Sequence, residues 1–171
     1  LHKKRYAELA PEWKRKFHKF TIRIFSIVDY HPSEPSELFY RLNQPVALTS
    51  AEQRNAFYGV PREQVKVLVD GMERSGVDKE LLGFSNSRMA YDDVIARFCF
   101  LLDKGKITEK VSAQALADRY RTGDGFSEAV IDTAERSLLL FSYRKEMRAG
   151  RFQLNKASLL SWLLFFARGL H

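Results

Sequence analysis

Cysteine is nearly absent from this chain, which has only Cys99 among its 171 residues. A disulfide framework within the chain is therefore excluded, and Cys99, set between apolar neighbours in RFCFLL, is expected to be a small buried hydrophobic residue rather than a nucleophile. Long apolar runs are absent too, because the longest, LLSWLLFFA at residues 159–167, is too short to span a bilayer as a helix. With no signal peptide either, these absences predict a cytoplasmic protein without a membrane partner.

Motifs that form an active site on their own are also missing. The four histidines, at positions 2, 18, 31 and 171, are scattered, and no histidine or cysteine pair has the spacing of metal ligands. The nine glycines form neither a Walker loop nor a dinucleotide-binding fingerprint. The sequence therefore predicts no catalytic residue, no metal ligand and no cofactor in this chain taken alone.

Positive charge is concentrated at the N-terminal end. Residues 1–23 contain eight Lys or Arg and two Glu, so they carry nearly all of the net charge of +7. Tyr6, Trp13 and Phe17 are interleaved with these cations, a pattern that suits contacts with nucleic-acid phosphates. The alternative is a solvated helix face whose aromatic rings pack inward. The predicted nucleic-acid-binding residues are Lys3, Lys4, Arg5, Lys14, Arg15, Lys16 and Lys19.

One strand is predicted, in FTIRIFSIV at residues 20–28, where side chains alternate with the period of a strand that has at least one buried face. A lone strand cannot satisfy its backbone groups, so its partners must come from elsewhere. The chain also begins at Leu1 and stops without a clear helix end. We therefore expect the middle of a longer gene product, in which residues 1–30 complete an upstream domain.

Residues 31–171 are predicted to be helical throughout. Apolar residues recur at the spacing of one helix face over 33–43, 49–59, 61–76, 91–105, 112–121, 127–148 and 156–168. The predicted fold class is mainly α: a helical bundle subdomain of six to seven helices, preceded by one strand of a mostly missing α/β sheet. Whether the subdomain continues beyond residue 171 is left open.

The segment LFYRLNQPVALTSAEQRNAFYG, residues 38–59, has an unusual set of polar residues. Most have ordinary explanations, since Arg41 can pair with Glu37 one turn earlier, Asn43 can end a helix and Glu52 can cap the next one. Arg54 and Asn55 are not needed for a cap. They point in directions about 100° apart on a helix, where they could grip an anion or a backbone loop.

The same segment resembles the signature of the GmrSD-type restriction endonuclease N-terminal domain family. A second stretch, SRMAYDDVIARFCFLL at residues 87–102, resembles the next element of that family, and the whole resemblance spans roughly residues 6–105. The matching signature residues are Phe39, Leu42, Asn43, Leu48, Thr49, Glu52, Arg54, Asn55 and Ala56.

The resemblance implies a ParB/sulfiredoxin-like sheet domain with a nucleotide-binding Asp-Gly-Gln-Gln-Arg motif, followed by a helical part. It implies restriction of modified phage DNA, in which hydrolysis of a nucleoside triphosphate with Mg is linked to cleavage by a separate or fused His-Asn-His nuclease domain. This chain would follow the catalytic motif, so residues 1–30 would complete the ParB-like domain and this segment alone would be inactive. DGMER at residues 70–74 is rejected as that motif, because Met72 belongs to the apolar face of a helix.

The turn QPVA at residues 44–47 lacks the glycine common in the family, which makes a close approach of backbone to phosphate harder. The predicted group therefore either contacts the nucleotide, supports the residues that do, or is a structural clasp between two helices. A non-catalytic DNA- or partner-binding helical module is the alternative function, and residues 127–168 could instead dock a nuclease partner. The predicted nucleotide-site residues are Arg41, Asn43, Glu52, Arg54, Asn55 and Arg88.

Overall fold

A computed structural model describes residues 5–22, 24, 26–32, 34–43, 48–143 and 154–170, apart from the side chains of residues 42 and 43. The chain divides into two compact units, Leu1–Tyr30 and His31–His171. The assignment of the first unit to an upstream ParB-like domain stays a prediction.

The first unit contains a 3₁₀ turn, Tyr6–Glu8, and one helix, α1, Pro11–His18. Pro11 suits the first helical position, and Glu12 near the start and Lys16 in the last turn complement the helix dipole. The described residues within 20–28 belong to no helix or strand, while Arg23 and Phe25 lie outside the described residues. A strand needs a hydrogen-bonded partner, so the predicted strand of an incomplete sheet stays a prediction.

The second unit is a helical bundle, which confirms the prediction of a mainly helical fold. The predicted helix over 127–148 is described only as far as residue 143. The described helices are α2 Glu34–Asn43, α3 Ser50–Arg54, α4 Val60–Arg74, α5 Lys79–Leu82, α6 Ala90–Lys104, α7 Ala113–Arg121, α8 Glu128–Ser142 and α9 Lys156–Gly169.

Two local features differ from the expected helix pattern. α5 was not predicted because four residues are too few to show a period; it is set by Asp78, which accepts backbone hydrogen bonds from Glu80 and Leu81. The helix predicted over 49–59 stops at Arg54 as α3. Gly59 then precedes α4 with a φ of 155°, and a Cβ there would lie 3.3 Å from the Cα of Gly123. Only glycine fits that conformation and that close approach comfortably.

Helix α6 lies at the centre of the bundle and packs against α3, α4, α7, α8 and α9. Its side chains are buried on nearly all sides, including Ile95, Phe98 and Cys99. Burial raises the pKa of the Cys99 thiol to about 12, which agrees with a packing role rather than a nucleophilic one. None of the helices in the described ranges has the length and apolarity needed to cross a bilayer.

Candidate functional site

The signature segment begins with a capping box at the start of α3. The Thr49 hydroxyl accepts a hydrogen bond from the backbone N–H of Glu52 at 3.2 Å, and the Glu52 carboxylate accepts one from the backbone N–H of Thr49 at 2.7 Å. The predicted capping box is therefore confirmed. It fixes where the helix starts and which way its next residues point.

Glu52 also joins α3 to the residues before α6. Arg88 donates from Nε to Oε1 at 3.3 Å and from Nη2 to Oε2 at 3.0 Å, the two-point geometry that suits a guanidinium and a carboxylate. The Thr49 hydroxyl also lies 3.3 Å from the Arg88 carbonyl. Arg88 and Met89 both have φ near +55°, a conformation that costs about 1 kcal/mol for a residue with a side chain. The contacts to Glu52 and Thr49 hold this turn in place.

Protonation of Glu52 should weaken this link in a defined pH range. The pKa of Glu52 is lowered from 4.5 to about 2, first by the hydrogen bond from Arg88 and then by the backbone N–H of Thr49. A carboxyl whose folded pKa is depressed stabilises the fold above its unfolded pKa and loses that contribution as the pH falls through the folded value. We therefore expect the difference in unfolding free energy between wild type and Glu52→Gln to shrink between about pH 4.5 and pH 2. Urea unfolding at several pH values measures it; a difference that stays constant over that range contradicts the assignment.

Arg54 is a buried residue, with only 3% of its side chain exposed. Its Nη2 donates to Oδ1 of Asp93 at 2.7 Å, which connects α3 to α6 across 39 residues of sequence. The guanidinium carbon also lies 5.9 Å from the centre of the Tyr120 ring on α7. Burial against α6 and α7 explains why an arginine with no part in the cap stands at this position.

Asp93 is the point where three cations converge. Besides Arg54, its carboxylate lies 3.3 Å from Arg97 Nε and 3.5 Å from Lys156 Nζ, so it connects α3, α6 and α9. Burial raises the pKa of Asp93, but the hydrogen bond from Arg54 and the charges of all three cations outweigh burial and bring the pKa below its ordinary value. Asp93 is therefore a carboxylate at neutral pH. Nη1 of Arg54 is buried without a hydrogen-bond partner in the described part of the chain.

The other predicted site residues have separate partners. Asn55 follows α3 and accepts a hydrogen bond from Nε of Arg62 at 3.2 Å. Arg41 is exposed and pairs with Glu37 at 3.1 Å, as its spacing predicted. Asn43 is the last residue of α2, and its side chain is not among the parts of the chain that the structure describes. The fold thus brings the polar residues of α3 together with Arg88 and Asp93.

Asp93 is the site residue that the sequence analysis missed. It lies among helix-start acidic residues, which already have an ordinary explanation at the positive end of a helix. The position of Asp93 in the sequence could have indicated its role. Arg97 follows Asp93 one turn later, and Val94, next to Asp93, belongs to the apolar face of α6. A carboxylate at the edge of an apolar face favours a buried cation as partner.

An open groove runs along the accessible side of this region. It has a volume of about 340 Å³ and lies between α2 and α3, with Phe39, Glu52, Asn55 and Ala56 among its lining residues. The Phe39 side chain is 46% exposed there. Four of the signature residues therefore meet at one surface groove, where another chain segment could pack.

The basic segment exposes its aromatic rings within the first unit. Trp13 is 37% and Phe17 65% exposed, so these rings are not turned inward there. The ammonium group of Lys16 lies 4.4 Å from the centre of the Trp13 ring. Exposed rings beside cations suit stacking and phosphate contacts. Lys3 and Lys4 lie outside the described residues, and the binding role of the segment stays a prediction.

Neither a metal site among the described residues nor a match to a known protein points to a function. Among the residues that the structure describes, no group of three or more His, Cys, Asp or Glu side chains is placed to hold a metal ion. Comparisons with protein-family models, curated proteins and solved structures found no match. The relation to the restriction family therefore remains a resemblance in the sequence.

Proposed function

We propose that this chain is the helical part of a nucleotide-dependent restriction or phage-defence protein that acts on modified DNA. The observation that carries the proposal is the pairing of its two signature-like stretches. Glu52 binds Arg88, and Arg54 binds Asp93, so residues 49–56 and 87–102 are joined by two charged links. If these two stretches resembled the family only by chance, there would be no reason for the polar residues of one to pair with those of the other.

In this proposal the chain supports the nucleotide site rather than forming it. Arg54 is buried and occupied by Asp93, which leaves the groove beside Phe39, Asn55 and Ala56 as the accessible face of the signature. A nucleotide-binding loop of the complete protein would rest in that groove. The nucleoside triphosphate and Mg would be held mainly by residues outside this chain, and the exposed rings of Trp162 and Phe165 would face the nuclease domain or subunit.

The groove gives a direct test in the complete natural gene product. Ala56→Trp would fill it and displace whatever rests there, and a displacement of about 1 Å at a catalytic site can lower turnover about 100-fold. We expect Mg-dependent nucleotide hydrolysis in the wild type and a loss of at least about ten-fold in Ala56→Trp. Ala129→Trp, the same change on the exposed face of α8, is the control and should keep full turnover. Absence of hydrolysis in the wild type, or equal turnover in both variants, contradicts the proposal.

A second candidate function is a DNA-binding module that uses the basic segment without nucleotide. The observation in its favour is the exposure of Trp13 and Phe17 next to Lys16. Affinity of this kind depends strongly on salt and does not require a nucleoside triphosphate. The two candidates therefore differ in whether nucleotide changes DNA binding.

A further inference from the structure

Gly71, in the second half of α4, is a glycine that the fold does not require. Its φ is not among the positive values found at other glycines, and a Cβ built on it would meet nothing within 4 Å. Glycine inside a helix is destabilising relative to alanine. Gly71 therefore leaves a stretch of the α4 backbone uncovered by side chains of the described chain.

The surface around Gly71 is an apolar groove of about 280 Å³ between α4 and α8, here termed the Gly71 groove. Gln64, near the start of α4, hydrogen-bonds to the backbone of Phe126 just before α8, so the two helices run side by side in the same direction. Val67 on α4 is 57% exposed and Leu139 on α8 is 49% exposed, one on each side of the groove. Because Val67, Leu138 and Leu139 line the same groove, their apolar surface is contiguous, and a contiguous exposed apolar surface is the kind that marks an interaction site.

The groove also has one charged side chain of each sign. Arg74 of α4 and Glu135 of α8 both line it, and both are exposed. Neither forms an ion pair within the described part of the chain. A surface with unpaired charges of both signs beside apolar residues is complementary to itself, because a two-fold axis brings each charge to its opposite on a second copy.

We infer that the Gly71 groove is the contact between two copies of this chain, arranged about a two-fold axis. Arg74 of each copy pairs with Glu135 of the other, which sets α4 of each copy against α8 of the other and covers Val67, Gly71 and Leu139 of both copies. Nucleic acid or a strongly acidic partner fits less well, because the groove has one charge of each sign rather than an excess of cations. The inference does not depend on the proposed function.

Charge reversal tests whether the partner at the Gly71 groove is a second copy of the chain. The experiment measures the mass of the 171-residue chain by sedimentation equilibrium. We expect the wild type to reach twice its monomer mass of 19.8 kDa as concentration rises. Arg74→Glu alone and Glu135→Arg alone each place like charges together at two points, so each should weaken dimerisation at least about ten-fold. An equimolar mixture of the two variants should form a heterodimer, since both of its ion pairs are then restored. Association of the mixture is expected only if the partner at this groove is a second copy of the chain.

Substitution of the glycine provides an independent readout. Gly71→Trp fills the groove and should give a monomer whose thermal unfolding matches that of the wild-type monomer, while Gly71→Ala should melt higher because alanine favours the helix. A wild type that stays monomeric at its highest soluble concentration overturns the inference. So does a dimer that survives Gly71→Trp, or a variant mixture that associates no better than either variant alone.

Discussion

Asp93→Ala should destabilise the protein by about 3 kcal/mol, the largest effect expected from a polar substitution here. The change leaves Arg54 as an unpaired charge with 3% of its side chain exposed, and breaking a buried ion pair from one side costs about 3–5 kcal/mol. We expect the lower end of this range because 13% of the Asp93 side chain is exposed, so water can partly take its place as the partner of Arg54.

The opposite substitution should cost much less. Arg54→Met leaves Asp93 with Arg97 and Lys156, both partly exposed, so the remaining carboxylate is still compensated. It also removes the guanidinium nitrogen that has no hydrogen-bond partner in the described part of the chain. We expect a loss of about 1 kcal/mol. The double variant Arg54→Met/Asp93→Leu should be close to wild type, as replacement of buried ion pairs by apolar pairs often is.

Urea unfolding of the three variants measures this asymmetry. Asp118→Ala is a suitable control, because Asp118 pairs with Arg121 while 59% of its side chain is exposed, and surface pairs contribute about 0–1 kcal/mol. Equal costs for Asp93→Ala and Arg54→Met, or a cost for Asp93→Ala no greater than that of the control, would show that the pair does not hold α3 against α6.

The second large effect concerns the basic segment and DNA. If its seven predicted cations contact phosphates, affinity should fall about 10³-fold or more between 50 and 200 mM salt. The triple substitution of Lys14, Lys16 and Lys19 by alanine should reduce the slope of log affinity against log salt by about 3, because each lost contact removes roughly one unit. Fluorescence anisotropy with a labelled duplex at several salt concentrations measures the slope.

A matched control is available elsewhere in the chain. Lys104, Lys106 and Lys110 are three exposed lysines at a similar spacing in the helical unit. Their replacement by alanine should leave the slope nearly unchanged. Equal slopes for the two triple variants would show that the charge of the N-terminal segment has no particular role in binding DNA.

Periodicity was sufficient to predict most of the bundle. The apolar spacing in α4, α6 and α8 reflects burial of one face or more, and a sequence pattern records that directly. The capping box at Thr49 and Glu52 was predictable for a similar reason, because both partners lie within one turn. By contrast, α5 depends on a single capping side chain, Asp78, and is too short for any period to appear.

Contacts between distant residues could not be predicted in the same way. Arg54 and Asp93 are 39 residues apart, and Lys156 is another 63 residues further on, so only the packing of three helices brings them together. The sequence showed that Arg54 lacked a local role, but it gave no sign of which acidic residue would meet it. Arg88 was predicted as a site residue through the family resemblance alone, and the structure pairs its side chain with Glu52.

The most direct test of the account is nucleotide hydrolysis by the complete natural gene product with Arg54→Met/Asp93→Leu. In the proposed function, these residues clasp α3 to α6 and do not touch the nucleotide. We therefore expect Mg-dependent hydrolysis in the wild type. Turnover in the double variant should lie within about two-fold of the wild-type value, which is a difference of only about 0.4 kcal/mol in the barrier. A double variant that melts like wild type yet hydrolyses no nucleotide would contradict the clasp, and a wild type without hydrolysis would contradict the proposed function.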